Sequence, residues 1–334
     1  MAPVALAYKD MFICYMDRLV TMLKAAGDAT RLRLLLLLRD AELTVSELVQ
    51  IVGQSQPRVS RHLKLLTEAG LIERFKEGSW VFYRAADRGA ASELNAALAG
   101  LADPASREND RKRLAAVREA RAAIAASYFK ANAAEWERIR SLHAPEKDVE
   151  NAIARLLSAA PIENFLDAGT GTGRMLELLA PSIRRGVGVD VSPEMLAIAR
   201  DRLAPHPNCQ VRLADAYRLP FPNGGAMSGF DAVLFHQVLH FLDDPQAAVV
   251  EAARVMKAGG RLLIADFAPH ELEFLRSDYA HRRLGFSDAE VQGWFASAGL
   301  VPAASESIAP RGGAKLTVRI WMAESASARA TVAA

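Results

Sequence analysis

The chain has 334 residues, 51% of them hydrophobic, and a formal net charge of +2 at pH 7. That length suits two domains with sizeable cores, and the near-neutral balance excludes a globally basic nucleic-acid binder, so such affinity must come from a local patch. Two distant cysteines, Cys14 and Cys209, exclude a disulfide framework and a CxxC metal knuckle and read as free thiols.

The opening MAPVALAYKDM lacks the basic segment and long apolar run of a signal peptide. The greasiest run, residues 34–38, is framed by Arg31, Arg33 and Arg39 and is too short for a bilayer. A cytoplasmic location with no membrane contact is expected. Residues 11–38 show helical spacing interrupted at Gly27-Asp28, which predicts two helices with Asp28 as N-cap of the second. Thr44 predicts the next N-cap, with Glu47 in capping-box position, and Gly53 ends that helix. Ser55 opens SQPRVSRHLKLLTEAG, with Pro57 in its first turn and Gly70 at its end. LIERF, KEGS and WVFYRA then read as a hairpin around Glu77-Gly78.

Helix, turn, helix and hairpin is the order of a winged helix-turn-helix, mainly α with a β-hairpin wing. At about 100° per residue, Val59, Leu63 and Leu66 share one side, with Arg58, Arg61 and Lys64 opposite and Gln54 beside them. This face suits a major groove, and Ser55, Gln56 and Ser60 join it as candidate DNA contacts. Lys76 and Arg84 on the wing add candidate phosphate contacts. The plain alternative is a solvated basic face.

Residues 15–100 resemble the ArsR-type winged helix-turn-helix repressors, through Ala26-Gly27-Asp28-Ala29-Thr30-Arg31 and Ser60-Arg61-His62-Leu63. The resemblance implies a homodimer that binds a double-stranded operator and responds to an effector, often a metal. Metal-sensing members carry cysteines where Thr44 and Ser46 stand, and hydroxyls are poor ligands for soft metals. No histidine lies between His62 and His143 to build the family's other metal site. No metal is expected, so the input must come from elsewhere.

The winged domain is assigned to residues 1–102, with 87–100 as its closing helix. A helical linker and lid region is assigned to 103–145. Within it, residues 107–124 favour helix, with Leu114, Val117, Ile124 and Tyr128 on one stripe. That stripe reads either as part of a solvated linker or as a seam or lever. Tyr128, Trp136 and Arg138 belong to an aromatic-rich entry segment, and Tyr128 either covers a ligand or packs on a sheet.

The remainder, 146–324, alternates strands and helices, followed by a tail at 325–334 without expected order. NFLDAGTGTGRMLELLAPSIRRGVGVD reads as strand, glycine-rich turn, helix and strand. Helices follow at 193–203, 245–256 and 287–298. Strands follow at 209–213, 231–235 and 261–265, and the segments at 301–308 and 316–322 form a final antiparallel hairpin. This alternation predicts an α/β, Rossmann-like, mostly parallel sheet with ligands outside the carboxyl ends of its strands.

Four loops there carry the informative residues. Asp167, Ala168, Gly169, Gly171 and Gly173 allow close approach of a ligand. Asp190, with Val191 after it, is placed to accept from ribose hydroxyls. Asp215 and Ala216 suit an adenine amino group. His236 and His240 end the fourth strand; each is a candidate general base and cofactor neighbour, or a hydrogen-bonded structural histidine. A glycine-rich turn alone also fits a dinucleotide, but G-x-G-x-x-G is absent, and Asp167 before the glycines suits a sulfonium better than a pyrophosphate.

LDAGTGTGR, VGVDVSPEMLAIAR, LADAYRLPF, FDAVLFHQVLHFLDDP and VMKAGGRLLIADF resemble class I S-adenosylmethionine methyltransferases over about residues 125–322, the ubiquinone/menaquinone C-methyltransferase group in particular. The resemblance implies S-adenosylmethionine or S-adenosylhomocysteine as ligand. An Asp/Asn-Pro-Pro-Tyr motif is absent at 235–238, which argues against DNA amino-methylation. A lone Cys209 argues against arsenic methylation. Two readings stay open: a regulator that senses the adenosyl ligand, and a methyltransferase of a small acceptor controlled by its own DNA-binding half.

Overall fold

The computed structural model describes residues 16–77, 80–86, 89–101, 104–133, 146–158, 160–225, 228–310 and 316–326. The chain divides into two compact units, Met1–Ala122 and Ala123–Ala334. Cys14, Gly78, Trp136, Arg138, His143 and residues 87, 103 and 327–334 lie outside the described residues.

In the first unit, α1 covers residues 16–26 and α2 is Ala29–Asp40. Asp28 caps α2 by accepting from the Arg31 N–H at 3.0 Å. That bond is the main reason its carboxyl lies below the usual range. A short strand β1 (Leu43–Thr44) leads into α3 (Val45–Val52), which opens with the expected Thr44–Glu47 capping box and ends at left-handed Gly53. Then come α4 (Gln56–Glu68), β2 (Ile72–Glu77), β3 (Trp80–Ala85) and α5 (Gly89–Leu101). Ser55 caps α4 without a side-chain bond. Strands β2 and β3 pair antiparallel as the wing, and β1 adds to β3, giving the order β1-β3-β2. Two residues are too few to show a strand period, so β1 leaves no pattern to read.

The long helix α6 is Pro104–Asn132, extending the predicted 107–124 at both ends. Leu114 and Val117 are buried in the core of the first unit with Leu34, Leu48 and Ile51. For these two residues the expected stripe is intramolecular core, not a free seam.

The second unit opens with α7 (Glu146–Leu157) and builds one seven-stranded sheet. Its elements are β4 (Ile162–Ala168), α8 (Arg174–Leu179), β5 (Ile183–Asp190), α9 (Pro193–Leu203), β6 (Cys209–Leu213) and β7 (Phe230–His236). They continue as α10 (Pro245–Val255), β8 (Met256–Phe267), α11 (Phe274–Asp278), α12 (Asp288–Ser297), β9 (Leu300–Ile308) and β10 (Val318–Ser325). The order is β6-β5-β4-β7-β8-β10-β9, parallel from β6 to β8, with β10 antiparallel to both its neighbours. The α/β reading with a terminal antiparallel hairpin therefore stands.

Strand side chains alternate between two cores. Leu166, Val233, Phe235, Leu262 and Ile264 face one core, and Phe165, Ala232, Leu234, Leu263 and Ala265 the other. Burial on both faces makes these strands read as apolar runs. The chain winds outward from β4 to β6 and returns to β7 beside β4, so the carboxyl ends of β4 and β7 flank the switch point.

Candidate functional site

A cavity of about 840 Å³, including its open mouth, lies at those carboxyl ends. Its wall takes Asp167, Gly169 and Gly171 from the β4–α8 turn, Asp190 and Val191 from β5, Asp215 and Ala216 after β6, and His236 from β7. The structure thus brings most of the residues expected to hold the cofactor to one place.

The acids are held before any ligand arrives. Asp190 accepts from the Gly171 N–H at 2.8 Å through one oxygen and from the Ser192 N–H at 2.9 Å through the other. Desolvation nevertheless raises its carboxyl above the ordinary 3.8, and these backbone donors only partly offset that. Asp167 is buried and accepts from Thr170 Oγ1 at 2.7 Å. Asp215 accepts from the Tyr217 N–H at 2.9 Å. Gly169 has φ +78°, and a Cβ there would lie 2.5 Å from Val238 Cγ2, so the turn admits only glycine without moving the opposite wall.

Two expected residues serve packing instead. Ala168 and Gly173 are not in the cavity wall. A Cβ on Gly173 would meet Ala199 at 3.1 Å, so this glycine lets α8 approach α9. Tyr128 does not line the cavity either; its neighbour Phe129 does. The Tyr128 ring lies 6.3 Å from Tyr279, and burial pushes its hydroxyl up to about 12.

The two histidines part company. His236 lines the cavity, with Nε2 4.0 Å from Glu146 Oε2. His240 is buried away from that wall, its Nδ1 2.7 Å from Asp266 Oδ1 and its ring packed on Phe241 and His281. Nearby, desolvation lowers His270 to about 4.

Sequence reasoning placed Gln237 in the informative loop after β7 without giving it a role, and missed Glu146, Phe129, Phe241 and Arg174. Gln237 has φ +54° and donates through Nε2 to Glu146 Oε1 at 2.8 Å; strain of this kind concentrates at functional sites. Phe129 and Phe241 meet edge-to-face at 4.7 Å on the wall. Arg174, also on the wall, is bound to Glu150 at 2.9 and 2.8 Å and to Glu177 at 3.0 Å. Glu146, Phe241 and Glu150 come from elements distant from their partners, whereas Gln237 and Phe129, beside the singled-out His236 and Tyr128, left a local cue.

The first unit holds the second candidate. Val59, Leu63 and Leu66 are fully buried under α4, while Ser55, Gln56, Arg58, Ser60, Arg61 and Lys64 are exposed, as the helical wheel requires. Lys76 is exposed on β2. Gln54 and Arg84 are engaged within the unit. Gln54 Nε2 donates to Thr30 Oγ1 at 2.9 Å. Arg84 donates to Glu73 at 2.9 Å and to Glu42 at 3.4 Å, with its guanidinium 5.2 Å from the Phe75 ring centroid. Among the described residues, no helix is long and apolar enough to cross a membrane.

Residues 28–74 match the family described as "Bacterial regulatory protein, arsR family", and residues 166–264 match "Methyltransferase domain". The chain is 36% identical over 128 residues to the demethylmenaquinone methyltransferase of Tropheryma whipplei (strain Twist), covering 38% of this chain and 51% of that one. It is 47% identical over 66 residues to the arsenical resistance operon repressor of Escherichia coli (strain K12), covering 20% and 56%. The crystal structure of the YcgJ protein of Bacillus subtilis aligns over 54% of this chain and 99% of its own, with a TM-score of 0.46 and 19% identity. The chain spans about half the length of the curated relatives it matches. The protein thus joins a segment of the ArsR family of bacterial regulators to a methyltransferase domain.

Proposed function

We propose that the protein is a DNA-binding transcriptional regulator, a cytoplasmic homodimer on a double-stranded operator, whose second unit takes S-adenosylmethionine or S-adenosylhomocysteine as effector. The observation that carries this reading is Asp190. Its carboxylate ends β5 in the cavity wall, fixed by two backbone donors and desolvated. A desolvated acceptor of this kind is stabilised by a vicinal diol that donates to it. In this reading Asp190 holds the ribose hydroxyls, Asp215 the adenine amino group and Asp167 the amino group of the methionine moiety, while Gly169 and Gly171 let the ligand approach the turn. S-adenosylmethionine, when bound, brings a transferable methyl group on a sulfonium.

Metal input is not part of the proposal. Thr44 and Ser46 stand where metal-sensing relatives carry thiolates. Thr44 is instead committed to the cap of α3, its Oγ1 2.9 Å from Glu47 and 3.0 Å from Ser46 Oγ. Coupling requires the ligand to bind the two DNA-affinity states differently. A gel-shift titration with each adenosyl ligand tests it: operator affinity should change at saturating ligand, and unchanged affinity would sink the sensor reading.

A second reading, methyl transfer to a small acceptor, is favoured by His236 on the cavity wall beside Glu146. There His236 would take the acceptor's proton. A screen with radiolabelled S-adenosylmethionine on cell metabolites tests it; tight binding without labelled product would leave the sensor.

A further inference from the structure

The polar face of α6 grips α3 at both ends. Arg113 donates to the Ile51 carbonyl at 2.8 Å, at the C-terminal end of α3. Arg121 donates through Nε to Glu47 Oε1 at 2.8 Å and again through its terminal nitrogen, at the N-terminal end. Glu47 is the carboxylate of the α3 capping box, so one side chain closes the cap and receives α6. Asp110 holds Arg33 through two bonds of 2.8 and 2.6 Å, and Arg33 reaches the Val52 carbonyl at 3.5 Å. Arg107 and Arg118 bind the Asp40 carboxylate and carbonyl where α2 ends, at 2.8 and 2.5 Å. Between them, Leu114 and Val117 enter the core. Residues 110, 113, 114, 117 and 121 share one helical face.

We propose that the first part of α6 is a latch on α3, and that the DNA affinity of α4 is set by whether this latch is closed. This rests on the DNA-binding reading above. Helix α3 has only eight residues, too short to hold itself, so its position depends on what packs around its ends. It packs directly on α4. An arginine at the terminal carbonyls of a helix satisfies both their hydrogen bonds and the helix dipole. The grips at the two ends of α3 are polar, and such contacts open more cheaply than the apolar core beside them. The closed latch is the DNA-competent state, because here α4 shows its basic side while Val59, Leu63 and Leu66 stay buried.

The test uses the full chain and a duplex selected with it from a randomised library. The double variant Arg113→Ala/Arg121→Ala should lose about tenfold or more in affinity at unchanged salt dependence. Amide exchange in α3 should speed up about tenfold while α2 and the wing stay protected. Affinity within about twofold of native, or unchanged exchange in α3, would overturn the latch. A salt slope reduced by about two would make these arginines phosphate contacts and overturn it equally. If exchange rises everywhere, the swapped pair Arg33→Asp/Asp110→Arg decides. Affinity recovered above both single variants supports the latch, and no recovery refutes it. If the native chain enriches no duplex, the DNA-binding reading has failed, and the latch falls with it; a native chain that binds beside an equally tight variant refutes the latch alone.

Discussion

The cavity and the basic face of α4 meet their proposed ligands in opposite ways. The cavity is concave, and its Asp190 is bound by two backbone N–H groups and desolvated before a ligand enters. The α4 face is convex, and its charges sit in water on a helix fixed from below by three buried apolar residues. In the first, position and desolvation create affinity, so one lost side chain should abolish binding. In the second, charge is distributed, so losses should be graded and salt-dependent.

The largest expected effect sharpens that contrast. Asp190→Ala should weaken adenosyl-ligand binding about a hundredfold or more by calorimetry, with ligand-free DNA affinity unchanged. On the other side, Arg58→Ala/Arg61→Ala should lower DNA affinity about ten- to a hundredfold and reduce the salt slope by about two, while ligand affinity stays native. A loss confined to one sequence position, with the slope intact, would make these arginines base readers. Lys76→Ala should do less, about threefold, with a slope lower by about one.

Two pH effects complete the comparison. Asp190 has its folded value raised, and a diol donor favours the charged form. Ligand affinity should therefore rise as pH climbs toward the raised value, with proton release on binding below it, seen by calorimetry in two buffers. His270 is lowered from 6.5 to about 4. Between those values the unfolded chain binds a proton that the native chain refuses, so stability should fall as pH drops. After allowance for partial exposure the loss is about 1–2 kcal/mol. His270→Asn should flatten this slope in denaturant melts at pH 7 and 4.5.

What was legible in the chain follows the same division. The caps at Asp28 and Thr44 and the glycine stops are local chemistry, and they stand where the residues indicated. So does the buried side of α4, which needs only helical period. Asp167, Asp190 and Asp215 share a wall because parallel strands bring successive carboxyl ends together. Long-range partners were not legible. Nothing near Arg84 announces Glu42, nothing near Gln54 announces Thr30, and nothing near His240 announces Asp266. These pairings decide which polar residues remain available to a ligand, and only the folded chain reveals them.

The anchoring of Leu114 and Val117 bears on how such a chain can be divided or recombined. Burying two side chains of this kind contributes about 3–5 kcal/mol, a large share of the 5–15 kcal/mol typical of a whole domain. A fragment of the first unit ending at Leu101 would forgo that support, and would also leave the terminal carbonyls of α3 without the partner they have here. A chimera that exchanges the second unit for another domain should therefore be joined after Ala122, so that the first unit keeps its own length of α6.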